Sequence, residues 1–319
     1  MIAAMVMCHK NLEQVNRLVQ SLSHPEIDIF IHVDSKCKED CGIIKAPPGS
    51  RVYFVEKTVS GYLDDKSLID ITLSMIKLAK ETELLMSTHY EYFILLSGQD
   101  YPIRSMSFIV RSLSESYPAP FIDCNGGGKS NPVIRSKFGK CNLVIKMRFY
   151  AMNKIKWIPK FFIRVGTYFA TKLLFLFHLS DYYWFKKHNI ELYCGSAWWI
   201  LPDVIIDFVL SEIGKTYSNR LLSTFTPEET FFQILARRSP LKDLVRVKNQ
   251  KEKQACKTYA YFHDVDKPMA NHPYTFTKRE YKKLIESDYW FARKFDTYVD
   301  SEIMDMLDTF RESESSRTI

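Results

Sequence analysis

Residues 92–102 read YFILLSGQDYP, a short apolar run from Tyr92 to Leu96 closed by Ser97-Gly98 and then by Pro102. A run this short and this apolar, ending on turn residues, predicts a strand buried on both faces, as in a parallel sheet. Its flanks agree. Upstream, Leu68, Ile71, Ile76 and Leu78 mark a helix, and downstream Ser105 caps a helical pattern that runs to Ser116. Three further apolar runs come earlier, at Ile2 to Cys8, Asp28 to Val33 and Arg51 to Val55, and Phe121 to Cys124 adds a short strand. After the first run Asn11 opens a helix, with Gln14 in the capping-box position and Val15, Leu18, Val19 and Leu22 on one face. Strands alternating with helices predict an α/β fold, a mostly parallel central sheet flanked by helices. Ligands of such sheets bind beyond the carboxyl ends of the strands. Two of those ends carry chemistry: His32-Val33-Asp34, and Ser97-Gly98-Gln99-Asp100-Tyr101-Pro102.

The composition narrows the classes. The 319 residues are 46% hydrophobic and 25% charged, which is ordinary for a globular chain. The net charge of +7 suits anionic partners: nucleotide diphosphates, phospholipid headgroups or nucleic acid. Nucleic acid is the poorest fit, because the basic residues concentrate around one apolar segment and no RRM or helix-turn-helix signature is present. Seven scattered cysteines, an odd number, read as reduced thiols of a cytosolic protein. Cys37 and Cys41 find no second close pair to complete a zinc site. Met1 to Cys8 lacks a basic leader and is too short for a signal peptide, so a buried first strand is expected there. Gly126-Gly127-Gly128-Lys129-Ser130 is no phosphate loop, because Asp123 stands where that motif needs glycine and Asn131-Pro132 disfavours the helix that should follow.

Lys154 to Lys187 has another character, with Trp157, Phe161, Phe162, Phe169 and Phe177 interspersed with Lys160, Arg164 and Lys172. It reads either as an amphipathic helix pair at a bilayer surface or as an ordinary helix packed on the sheet. Beyond it, Glu191 to Cys194 reads as a strand leading into Gly195-Ser196-Ala197-Trp198-Trp199, followed by a helix from Pro202 to Ile213. Thr226-Pro227-Glu228-Glu229 opens a helix through Ala236, and Thr277 with Glu280 caps another. The expected organisation is one domain over 1–310. It comprises a nucleotide-binding half at 1–125, a basic-aromatic helical insertion at 150–187 and an acceptor and catalytic half at 188–300. A disordered tail follows at 311–319.

Six blocks, MVMCHKN, IFIHVDSK, FILLSGQDYPIRS, GSAWWIL, TPEETFFQIL and HPYTFT with WFARKFD, run in this order from residue 5 to residue 296. Together they resemble the core-2/I-branching N-acetylglucosaminyltransferase and peptide O-xylosyltransferase family, the family 14 glycosyltransferases. The resemblance implies a GT-A-type fold, a UDP-sugar donor, inversion at the anomeric carbon and no metal ion. It makes Glu229 of Pro227-Glu228-Glu229 the catalytic base, with Glu228 as fallback, and puts Lys294 on the diphosphate. It also gives uridine contacts to the backbone near Met7 and to Asp34. The family's second cation has no clear match, since the equivalent stretch reads Asn271-His272-Pro273, and Arg293 is the candidate to replace it.

The residues themselves leave alternatives open. Thr226 to Glu229 is also a capping box with Pro at the first helical position. Arg293 and Lys294 also suit a salt-bridged surface pair. Trp198 and Trp199 suit stacking on a sugar, but neighbours in an extended segment point opposite ways, so one of them is core. Asp100 and Tyr101 shape the pocket or simply form a turn. The one Asp-x-Asp, Asp264-Val265-Asp266, reads as a solvated loop. The expected activity moves N-acetylglucosamine from UDP-N-acetylglucosamine, or xylose from UDP-xylose, to a glycan or glycolipid hydroxyl. A bacterial-type enzyme in the cytoplasm, peripheral on the inner membrane face, is expected. The rival is a membrane-associated homologue that binds glycan without catalysis.

Overall fold

The computed structural model describes residues 1–62, 66–126, 159–248, 255–260 and 273–316, with positions 131, 134, 137, 138, 144, 151 and 157. The central sheet has the order β3-β2-β1-β4-β7, formed by β1 (Ile2–Cys8), β2 (Ile27–Val33), β3 (Val52–Phe54), β4 (Tyr92–Ser97) and β7 (Ile200–Pro202). The first four are parallel: Ile2 lies opposite Ile27 on one side and Tyr92 on the other. β7 runs antiparallel beside β4. The expected mixed α/β architecture with a parallel-rich sheet is what the chain forms. β1 and β2 are buried almost throughout, which is why they read as continuous apolar runs rather than alternating ones.

Helices α1 (Leu12–Ser21), α2 (Ser67–Met86) and α3 (Met106–Ser116) connect these strands, and Ser105 accepts from the Phe108 amide at 3.3 Å as its pattern predicts. Asn11 caps α1, but the Gln14 side chain accepts from Asn11 Nδ2 at 3.3 Å rather than from the Asn11 backbone amide. The carboxylate of Glu39 takes the Asn11 and Leu12 amides instead, both at 2.7 Å. Gln14 is buried and ties α1 to two other segments, donating to the carbonyls of Gly98 at 2.9 Å and Phe295 at 3.0 Å.

Two short strand groups complete the sheet structure. β5 (Asp100–Pro102) pairs with β10 (Phe291–Arg293), which pairs with β9 (Thr258–Ala260); β6 (Cys124–Asn125) pairs with β8 (Val247–Lys248). The two expected halves are therefore knitted together, since β7 extends the main sheet and β10 lies against β5. Glu191 to Cys194 is not a strand: a single bridge joins Cys194 to Asn125.

Further helices among the described residues are α4 (Lys160–Leu176), α5 (Asp181–Lys187), α6 (Asp203–Glu212), α7 (Thr216–Leu221), α8 (Phe231–Ala236), α9 (Tyr281–Ile285) and α10 (Glu302–Ser316). The last corrects the expected disordered tail. Residues 311–316 are helical, Arg311 donates to the Ser21 carbonyl at 3.1 Å, and Glu314 accepts from the Ser105 amide at 2.5 Å. Polar composition misled because this helix is anchored by long-range polar contacts and only a narrow apolar face, Ile303, Met304 and Leu307.

Candidate active site

The carboxyl ends of β1, β2 and β4 form one edge, and the charged residues gather there. Asp34, just past β2, is buried, and its two carboxylate oxygens accept the amides of Lys36 at 2.8 Å and Gly61 at 2.7 Å. A carboxylate has about four acceptor positions, so this anchoring leaves room for a ligand hydroxyl or N–H. The Met7 carbonyl accepts from the Gly98 amide at 2.9 Å, which places its backbone between the ends of β1 and β4.

Lys294 follows β10 directly. Among the described residues its ammonium has no ion pair, while its backbone is fixed by Phe276 and Tyr274. Burial lowers its pKa from the usual lysine value, and the neighbouring charge of Arg293 lowers it further. His9 is likewise pushed down, first by burial and then by Lys10, with Lys294 and Lys36 adding to the effect against Asp34. Lys10, Lys36 and Lys294 thus act on the same imidazole, and of these Lys10 is paired with Asp296 at 3.4 Å. Fixed positive charge in a partly desolvated place favours an anion such as a diphosphate.

Arg293 is placed differently from Lys294. Its guanidinium is buried, 3.4 Å from the Asp100 carboxylate and 3.9 Å above the Trp198 ring. Asp100 is itself wholly buried and accepts from the Ser97 amide at 2.8 Å. Burial pushes the Asp100 carboxyl up and the guanidinium down, and each charge opposes the shift of the other. Asp100 is thus the counter-ion of Arg293 rather than a group open to substrate, and the ion-pair reading of Arg293 is correct in part. Nη1 of Arg293 lies 3.4 Å from Asp100 Oδ1, and its Nε makes no hydrogen bond among the described residues. A buried donor left unbonded is costly, and an anionic ligand would satisfy it.

The Pro227-Glu228-Glu229 segment forms a single 3-10 turn, after which α8 starts at Phe231. Thr226 is left-handed, with φ of 50°, and its side chain makes no capping bond. The capping box is therefore not formed, and the Glu229 carboxylate is released from that role. It stays 40% exposed, and its Oε2 pairs with the Nζ of Lys137, which also donates to Thr226 Oγ1 at 2.5 Å. Glu228 is half-buried, its Oε2 shielded from solvent.

One short segment joins the two parts. The Gly195 amide donates to the Glu229 carbonyl at 2.9 Å, and Trp198 lies under Arg293. Three residues of chain span no more than about 11 Å, so one short segment ties the Glu229 backbone to the ring on which Arg293 stacks. Trp199 points the other way into the core, its ring centroid 4.8 Å from that of Phe232, which removes it from the sugar-stacking candidates. Sequence reasoning missed Lys137, Lys10 and Lys36. Lys137 belongs to a long stretch without acidic residues, and that charge imbalance was the available signal. Among the described residues no cluster of His, Cys, Asp and Glu has the makings of a metal site; Asp264 and Asp266, like Asn271 and His272, lie outside the described residues.

A half-exposed carboxylate and a buried guanidinium, joined by one short segment, are groups suited to transfer chemistry on an anionic donor. The chain matches the Core-2/I-Branching enzyme family over residues 2–285, and it belongs to that family of glycosyltransferases. It is 24% identical over 321 residues to the zebrafish (Danio rerio) beta-1,3-galactosyl-O-glycosyl-glycoprotein beta-1,6-N-acetylglucosaminyltransferase 4, covering 96% of this chain and 68% of that one. Rat (Rattus norvegicus) xylosyltransferase 2 is 23% identical over 96% of this chain but only 33% of its own length. The chain thus spans about two thirds of the first relative and one third of the second. Mouse xyloside xylosyltransferase 1 aligns over 48% of this chain and 58% of its own, at 13% identity and a TM-score of 0.23, too low to carry weight.

Proposed function

We propose that this glycosyltransferase has a GT-A-type fold and is inverting and metal-independent. It moves N-acetylglucosamine from UDP-N-acetylglucosamine to a hydroxyl of a glycan or glycolipid. The observation that supports this reading is the uncapped, half-exposed Glu229 carboxylate, whose backbone is tied to Gly195, three residues before the Trp198 ring that carries Arg293. Glu229 Oε1 accepts the proton of the acceptor hydroxyl, whose oxygen attacks the anomeric carbon from the face opposite UDP. The bond from that carbon to the diphosphate oxygen breaks, and Lys294 offsets the charge left on the departing UDP. Lys137, held on Oε2, orients the carboxylate. Asp34 and the Met7 backbone hold the uridine.

Xylose is the second donor, because identities of 24% and 23% to the two kinds of relative do not separate the sugars. The six described cysteines are all unpaired, which supports a reducing cytoplasmic compartment. Calorimetric titration with UDP, UDP-N-acetylglucosamine and UDP-xylose in excess EDTA tests the reading. Metal-free binding is expected, tighter for the true donor. Binding that returns only with Mn²⁺ would overturn the metal-independent mechanism.

A further inference from the structure

Between Asp123 and Asp181 the chain contains no acidic residue and eleven lysines and arginines. That charge of +11 exceeds the +7 of the whole molecule, so the remainder is net acidic and the alkaline character resides in this one segment. The segment includes α4, which leaves a band of large apolar side chains uncovered. Phe161, Phe162, Phe169, Leu173 and Leu176 are 57–71% exposed. At 100° per residue these five fall within about 120° of arc, a single face of the helix. Lys172 sits within the same band, 4.7 Å from the Tyr168 ring, and the opposite face turns Ile163 and Phe175 inward. Monomeric soluble proteins rarely leave such a patch bare.

We infer that this face of α4 docks the enzyme on an anionic lipid bilayer, lying in the interface with its aromatic side chains inserted and its basic neighbours on the headgroups. Charge selects the occupant. A second copy of the chain would bring two acid-free basic segments together, whereas an anionic bilayer complements both the aromatics and the lysines. The geometry selects the orientation. The stretch Phe161–Lys187 has the length and hydropathy of a membrane span, but α4 itself ends at Leu176 and the chain turns at His178, with φ of 60°. Seventeen residues of helix reach about 25 Å, short of the ~30 Å hydrocarbon core, and Lys172 interrupts the face. A helix lying flat lets Lys172 reach the headgroups while its neighbours insert.

The docking face is also linked to the candidate site. Phe175 packs on Tyr182 and Tyr183 of α5, Phe185 of α5 packs edge-on against Phe138 at 5.8 Å, and Lys137 beside it holds Glu229. The side of the molecule bearing the base is thereby held near the bilayer.

The test is co-sedimentation of the full chain with vesicles of phosphatidylcholine alone and of phosphatidylcholine with phosphatidylglycerol. Docking predicts at least about tenfold stronger partition onto the anionic vesicles, weakened by salt. The triple variant Phe162→Ser, Phe169→Ser, Leu176→Ser should lose about tenfold or more of that binding. These side chains are exposed, so melting temperature and UDP affinity should not change, and the UDP affinity separates a failure of docking from a failure of the donor reading. Lys172→Glu should weaken binding to the anionic vesicles only. Equal partition onto both vesicle types, or none, would overturn the inference. So would a dimer abolished by the same triple variant, or chain that resists alkaline extraction from membranes as a spanning protein does.

Discussion

Gly195 donates its amide to the carbonyl of Glu229 at 2.9 Å, and this bond fixes the candidate base against the segment that runs through Trp198 and Trp199 into β7. On its other side Gly195 is crossed closely by the backbone of Asp123, which is possible only because residue 195 has no side chain. A Cβ there would lie 1.8 Å from the Asp123 carbonyl oxygen, a backbone atom that cannot swing away. Gly195→Ala must therefore displace Gly195 or Asp123, and with it the segment bonded to Glu229. Overpacking of this kind costs roughly 1–3 kcal/mol, so urea unfolding should show a clear loss of stability together with reduced turnover. A variant as stable and as active as the parent would mean that the two segments do not meet in this way.

Glu229 is placed to take a proton because the turn that carries it leaves its carboxylate uncapped. General-base catalysis contributes about 10²–10⁴-fold, so Glu229→Gln should lower kcat by at least a hundredfold while UDP affinity stays near that of the parent. The amide keeps the shape of the side chain, which makes a folding defect an unsuitable explanation for the loss. Equal falls in kcat and in UDP affinity would move Glu229 from the reaction to donor binding. Lys137→Met should lower kcat less than Glu229→Gln, since it removes the partner of Oε2 and leaves the base itself.

How much of this was legible in the sequence follows from how local each signal is. β1, β2 and β4 announce themselves because a strand buried on both faces must be apolar throughout. Ser105 and the Thr277–Glu280 capping box depend on neighbours a turn away, and both form as their spacing predicts. The failures are residues whose partners are remote. Gln14 has capping-box spacing but is drawn to Gly98 and Phe295, while Glu39 takes its place at the helix start. Thr226 has a capping side chain, but the left-handed turn points it away from the helix. Lys137 belongs to no motif, so only the folded chain brings it to Glu229. The family pattern names Glu229 and Lys294 as candidates and leaves Arg293 as a substitute cation, and it carries no sign of the burial that makes Arg293 the partner of Asp100.

The adjacent tryptophans should separate in their effects. Trp199 is buried against Phe232, and removing a core aromatic typically costs 3–5 kcal/mol, roughly the margin of many domains. Trp199→Ala is expected to lower the melting temperature sharply or prevent folding, and Trp199→Phe should recover most of that loss. Trp198 is only half-buried at the edge of the core, with the Arg293 guanidinium above its ring. Trp198→Ala should destabilise the fold less and weaken UDP binding more, because it removes the surface that orients Arg293. The reverse ranking in stability would mean that the two rings have been assigned to the wrong sides.

Lys294 makes a prediction whose sign is fixed by its surroundings. Burial and the nearby Arg293 charge lower its pKa below the ordinary lysine value. Between that lowered value and the ordinary one, the unfolded chain holds the proton and the folded chain does not. The unliganded protein should therefore gain stability as pH rises through this window, and Lys294→Ala should flatten that part of the profile. UDP binding runs the opposite way. A diphosphate beside the ammonium favours its charged form, so binding draws in a proton once the pH exceeds the lowered pKa, and affinity falls as pH rises further. Calorimetry in two buffers of different ionisation enthalpy would detect that uptake directly. Lys294→Ala should weaken UDP at least tenfold near neutral pH, in line with the loss of a charged hydrogen bond worth about 1.5–3 kcal/mol, and abolish the proton uptake. Wild-type affinity that does not change with alkaline pH, or a variant that binds UDP as the parent does, would take Lys294 off the diphosphate and leave Arg293 as its only candidate contact.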